Sequence, residues 1–218
     1  MMPEEAIERG IDLKPLKEEQ IKLAKLVKLK DSFDFSLAEK IAGIVLEPSG
    51  KTMLASIVVL DKEFKIIERK FATQRARFPY ITGFRAYREL PIMLEAYEKL
   101  ENSPDVIFIL GNGISHPRGL GLASHLSINI NKPVIGIVNY MNFGEEKENK
   151  IYSGSKIVAE KIQTRQGSKP IYVSPGNLIS LKTAVELTKK FIREPHKMPE
   201  PIVEARKFAK EVKEELGE

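Results

Sequence analysis

The chain has no cysteine and no tryptophan among its 218 residues, and only three histidines. Without cysteine there are no disulfides and no thiolate metal centre. No apolar run approaches the length that spans a bilayer. The N-terminus, with Glu4, Glu5 and Glu8, lacks the basic and apolar regions of a secretion signal, so the chain reads as cytoplasmic and without a membrane partner. Neither a Walker loop nor a dinucleotide fingerprint occurs, which removes the two commonest phosphate cradles. Internal repeats and low-complexity stretches are also missing.

What remains is an ordinary globular composition, 42% hydrophobic and 30% charged, long enough for one sizeable core over residues 1–218. Thirty-five basic against 30 acidic residues give a net charge of +5, which is compatible with a polyanionic partner and equally with an evenly charged surface. Abundant Lys, Glu and Ile beside the missing Cys and Trp lean toward thermophile usage.

The order of patterned segments supplies the fold. Residues 18–29 alternate apolar side chains with lysines, as in an amphipathic helix with a solvated face. Runs at 41–47, 52–60 and 64–73, joined by Pro48-Ser49-Gly50-Lys51 and Asp61-Lys62-Glu63, read as an antiparallel meander. A helix over 88–101 follows, with Pro91 in its first turn. Val106 to Leu110 and Pro133 to Val138 are short branched-apolar runs suited to strands buried on both faces. Between them lies a short helix near 120–124. Two further strands at 156–164 and 169–173 precede helices at 180–193 and 204–216, the last pair separated by Pro195, Pro199 and Pro201. Three antiparallel strands, then helix, strand, helix, strand, helix is the order of a ribonuclease H-like α/β fold: a mixed five-stranded sheet with helices on both faces.

The stretch from Asp105 to His125 is the first place to seek a site. Gly111, Gly113, Gly119 and Gly121 surround Asn112, Ser115, His116 and Arg118 between a strand and a helix. The crevice beyond strand ends is where ligands bind in such sheets, and a helix N-terminus can add amides for an anion. The glycines are also consistent with nothing more than a tight connection. Glu89 is the second candidate. With Met93, Ala96 and Leu100 it falls on one helical stripe that faces the sheet, and a core-facing carboxylate needs a bound cation, an arginine, or the helix dipole.

The blocks Tyr80-Ile81-Thr82-Gly83-Phe84-Arg85-Ala86-Tyr87-Arg88-Glu89, Gly111-Asn112-Gly113-Ile114-Ser115-His116-Pro117-Arg118 and Gly121-Leu122-Ala123-Ser124-His125 resemble the endonuclease V family. The likeness continues through Pro133-Val134-Ile135-Gly136, Val173-Ser174-Pro175-Gly176, residues 179–184 and Pro199-Glu200-Pro201, in collinear order over most of the chain. It implies a ribonuclease H-like fold, magnesium-dependent cleavage of nucleic acid near deaminated bases, and a wedge at Tyr80. The aspartates that the resemblance implies fall at Val45 and Leu110, its lysine at Asn139, its histidine after Ser-Pro-Gly at Asn177, and the wedge proline at Thr82.

Two functions follow. In the first, a divergent nuclease holds Mg2+ or Mn2+ through Glu89, Glu47 and Asn112, with Asp105 nearby and His116 in the chemistry. It hydrolyses single-stranded nucleic acid, DNA in preference, from the 3′ end by analogy with other enzymes of the fold. In the second, an inactive scaffold binds single strands. Lys70, Arg75, Arg77, Arg85 and Arg118 would meet phosphates, and Tyr80 and Tyr87 would stack on bases. A homo-oligomer is the further expectation.

Overall fold

A computed structural model describes residues 1–49, 52–165 and 167–217. Two helices, α1 (Pro3–Glu8) and α2 (Lys14–Ala24), precede the meander of β1 (Ile41–Ser49), β2 (Thr52–Leu60) and β3 (Ile66–Gln74). Then come α3 (Arg85–Glu98), β4 (Val106–Leu110), α4 (Leu122–Ile130) and β5 (Val134–Val138). A ribbon of β6 (Glu145–Lys147), β7 (Lys150–Ser153) and β8 (Lys156–Ile162) leads to β9 (Ile171–Asn177), α5 (Leu181–Lys190) and α6 (Glu200–Glu215).

Among the described residues the strands form one sheet in the order β3-β2-β1-β4-β5-β9-β8-β7-β6. β1, β4 and β5 are mutually parallel, while β2, β3 and β9 run against their neighbours. The expected five-stranded core is thus present as β3 to β5, and the sheet continues beyond it. The sequence reading missed β6, whose three residues are charged and exposed, and β7, four residues of which only Ile151 is buried. They pair through Glu148 and Asn149, both at positive φ (49° and 64°), a two-residue hairpin turn without the usual Asn-Gly signal.

Both sheet faces are covered, which is why the central strands lack alternation. Val45, Val58, Phe108 and Ile135 pack with α5 and α6, and Ile44, Ile57, Ile107 and Val134 pack with α3 and α4. Several boundaries differ from expectation for local reasons. Helix α2 starts early, with Pro15 in its first turn, and ends at Ala24. The following chain is drawn across the end of β9, with Lys28 N donating to Asn177 Oδ1 and Leu178 N to Lys28 O, both at 2.7 Å. Helix α3 begins at Arg85, so Pro91 lies in its interior and not in its first turn. Pro201 sits in the first turn of α6, where a missing amide proton has no consequence. The link between β2 and β3 is held by Asp61, whose Oδ1 accepts from Glu63 N and Lys65 N. In the β1–β2 turn, Gly50 and Lys51 lie outside the described residues. No helix is long and apolar enough to cross a membrane among the described residues.

Candidate nucleic-acid site at the ends of β4 and β5

The parallel strands β4 and β5 end at Leu110 and Val138, and the loops that leave them meet the loop before α3. The glycine-rich loop after β4 folds onto the protein itself. At Gly113 a Cβ would stand 2.1 Å from Pro175 O, so only glycine fits. Gly121 N donates to Gly113 O and Ala123 N to Asn112 O, each at 2.9 Å. The Ala123 amide at the start of α4 is therefore occupied by the protein itself, and at this point the glycines serve a tight connection.

A second cluster closes around one carbonyl. Gly83, at φ +80°, presents its oxygen to Gln20 Nε2 at 3.1 Å, His116 Nε2 at 3.1 Å and Arg118 Nη2. His116 Nδ1 accepts from Arg118 N at 3.3 Å, which leaves the proton on Nε2 to donate to Gly83. Burial, with the Arg118 charge beside it, pushes the His116 imidazole down to about 4. Arg118 also donates through Nε to Gln20 Oε1 and lies over the Phe84 ring, 4.5 Å from its centroid. Both residues brace the loop before α3.

Between this cluster and the strand ends is a cavity of ≈360 Å³, within the roughly 300–1,000 Å³ of small-molecule sites. Leu110, Leu120, Leu122 and Ile137 form apolar walls; Thr82, Asn112, Asn139 and Asn142 supply uncharged polar groups, with Asn139 Oδ1 accepting from Lys197 Nζ at 2.9 Å, while the Gln20 amide in the lining is taken up by Gly83 and Arg118. Asn112 Oδ1 is buried with no hydrogen-bond partner. Arg85 brings a cation to the lining, and among the described residues no Asp or Glu lines it. Tyr80 and Tyr140, from two different loops, reach the cavity with 52% and 73% of their surface exposed.

Glu89 is 5% exposed on the sheet-facing stripe of α3, as its spacing implies. Of the partners open to it, the structure contains the arginine: Arg85 Nε is 2.7 Å from both carboxylate oxygens. Glu47 is half-buried near the end of β1 and does not line the cavity. Asp105 stands at the opposite end of β4, where Oδ2 accepts from Glu39 N and Lys40 N at 2.9 Å. Val45, at an implied aspartate position, is 1% exposed in the core. The magnesium ion implied by the resemblance needs several oxygen ligands in one place. Glu89 is paired with Arg85, and the positions for which the resemblance implies aspartates hold the apolar Val45 and Leu110. Among the described residues no three His, Asp or Glu side chains are grouped to share a cation. The donor set does not fit the ion.

The residues expected to meet nucleic acid divide in the same way. Arg75, Arg77 and Tyr80 are exposed, and Arg85 is partly so. Tyr87 is not available for stacking. Its hydroxyl donates to Glu19 Oε2 at 2.7 Å with Leu16 O at 2.9 Å, its ring meets His125 edge-on, and burial beside Glu19 raises its pKa. Lys70 is paired with Glu101 at 3.1 Å and Glu68 at 3.5 Å. Tyr140 and Gln20 were missed by the sequence reading. For Tyr140 a signal existed, since it follows the carboxyl end of a parallel strand at a crevice. Gln20 carried none.

A model of the endonuclease V family matches residues 21–207. Endonuclease V of Thermosipho melanesiensis is 40% identical over 216 residues, covering 94% of this chain and 95% of that one. The solved endonuclease V of Bacillus subtilis is 28% identical with a TM-score of 0.81, covering 93% and 95% of the two chains. That of Ciona intestinalis, solved with a 23mer DNA containing an inosine followed by a ribo-adenosine, shares the fold at a TM-score of 0.83 and 23% identity, covering 94% and 100%.

Proposed function

The chain belongs to the endonuclease V family, a family of nucleases acting on nucleic acid, and from that premise we propose that it binds single-stranded nucleic acid, DNA in preference, by seating an unstacked base in the cavity. The observation that carries this is the cavity's make-up: apolar walls, uncharged amides, two exposed tyrosines and one cation. Aromatic faces stack on any base, amides meet base edges, and an arginine meets the phosphate, whereas an acid-free lining avoids repelling the backbone. An unpaired strand offers its base without the cost of extruding it from a duplex. Arg75 and Arg77, exposed on the approach to Tyr80, extend the contact along the backbone.

On this reading the chain's own residues recognise and hold the strand, and hydrolysis at a carboxylate-bound magnesium ion is not what they are arranged for. A second reading keeps the cleavage, from the 3′ end and dependent on Mg2+ or Mn2+, with Glu89, Glu47, Asn112 and His116. The buried, partnerless Oδ1 of Asn112 favours it, being an oxygen donor beside the cavity. End-labelled single and double strands, incubated with and without magnesium or manganese, separate the two. Binding of single strands with no shortened product supports the first. Metal-dependent shortening that falls at least ~100-fold in Glu89→Gln supports the second.

A further inference from the structure

Glu89 and Arg85 form a pair whose two ends face different surroundings. The carboxylate side chain is 7% exposed and would be costly to bury alone. Arg85 supplies the compensating charge through Nε only. Among the described residues no hydrogen bond uses Nη1 or Nη2 of Arg85, its side chain is 37% exposed, and it lines the cavity. A guanidinium held at Nε is left with a planar fork of donors, the geometry that grips a phosphate through two oxygens. Arg85 is also the first residue of α3, a position where the helix dipole disfavours a cation. Helix preference therefore does not explain its presence, and Glu89 does.

We infer that Arg85 occupies, in chemical terms, the place for which the family implies a divalent cation: anchored on the one acidic ligand that remains, it binds a phosphodiester of the strand directly, so that binding needs no metal. This rests on the reading that single-stranded nucleic acid enters the cavity. The same substitutions that remove oxygen ligands, Val45 and Leu110, leave Glu89 able to hold one monovalent group. A guanidinium satisfies it with one charge, where a hard dication would lack its other ligands.

The test is fluorescence anisotropy with a labelled single-stranded DNA, in magnesium and in chelator, beside thermal unfolding in the same two buffers. Wild-type affinity should agree within about twofold between buffers, and magnesium should not raise Tm. Glu89→Gln should bind more tightly than wild type, because the guanidinium loses its internal anion. Arg85→Ala alone leaves Glu89 buried without a partner, so the decisive comparison is Arg85→Ala/Glu89→Gln against Glu89→Gln. Loss of the charge-assisted contact should weaken binding about tenfold, and free inorganic phosphate at millimolar concentration should compete only weakly with the strand. Affinity that collapses in chelator, a Glu89→Gln variant that binds no better than wild type, or a double variant equal to the single one would each overturn the inference while leaving the single-strand reading intact. Wild type that binds no single strand in either buffer would overturn both.

Discussion

Around Gly83 the polar groups are engaged with one another, whereas at the rim of the same cavity they are not. Gln20, His116 and Arg118 converge on a single carbonyl and hold the loop before α3 in place. A few residues away, Arg85 makes no hydrogen bond through its Nη atoms among the described residues, and Tyr80 and Tyr140 are exposed. Both regions draw on the same sequence blocks, the one from Tyr80 to Glu89 providing members of each. A motif can thus survive as a scaffold in one half and as a contact surface in the other. Residue type alone does not say which half a histidine or an arginine belongs to.

The largest effect expected is on the braced side and is driven by pH. The His116 imidazole has an ordinary value of 6.5 and is held at about 4 in the fold. The unfolded chain therefore takes up the proton first, and stability present above 6.5 is lost as pH falls toward 4. At ~1.4 kcal/mol for each tenfold change in proton affinity, this amounts to about 3 kcal/mol. His125 is displaced the same way by burial and adds to it. Partial burial works against the Glu68 carboxylate, but the amides of Glu101 and Asn102 hold it below its ordinary 4.5, so its contribution is present above 4.5 and is lost as pH falls below that value. Urea midpoints from pH 7 downward should fall steeply in wild type and less so in His116→Gln. Parallel curves would break the claim that this imidazole is locked neutral.

Next is Gly83→Ala. At φ +80° a Cβ is strained, and it would stand 2.9 Å from Arg118 Nη2. The cost should be about 2 kcal/mol, read as a lower Tm. A variant as stable as wild type would show that the carbonyl hub is not rigid.

On the open side the effects move from stability to binding. Tyr140→Ala should weaken single-strand affinity about tenfold, in line with ~1–3 kcal/mol per stacked base, while Tyr140→Phe retains it and neither changes Tm. Equal affinity in the alanine variant would confine stacking to Tyr80. The smallest effect is that of Arg75→Ala or Arg77→Ala. Each should lower the slope of log affinity against log salt by ~0.7, the share of one phosphate on a single strand. An unchanged slope in both would take that surface out of the contact.

How far the molecule was legible can be judged at particular residues. The buried strands at Val106 and Val134 were readable because a strand covered on both faces must be apolar throughout. Glu89 was readable as a core-facing carboxylate from its spacing with Met93 and Ala96. Its partner was not, since a cation, an arginine and the helix dipole satisfy a carboxylate equally well on paper. Arg85 lies one helical turn before it, a spacing that allows the pair without requiring it. Tyr87 and Arg118 read as nucleic-acid contacts by type, and the structure turned both inward because Glu19 and Gln20, on a helix distant in sequence, supplied their partners.

By itself the sequence determined the order of the central elements, the two-sided burial of the central sheet, the family, and the apolar Val45 and Leu110 at the positions where the resemblance implies aspartates. These follow from local apolar patterns and collinear blocks. Only the tertiary structure decided which polar groups remain free for a ligand. Hydrogen-bond partners such as Gln20 for Arg118, and the closing of three loops over Leu110 and Val138, join residues far apart in the chain, and side-chain spacing carries no record of contacts made across that distance.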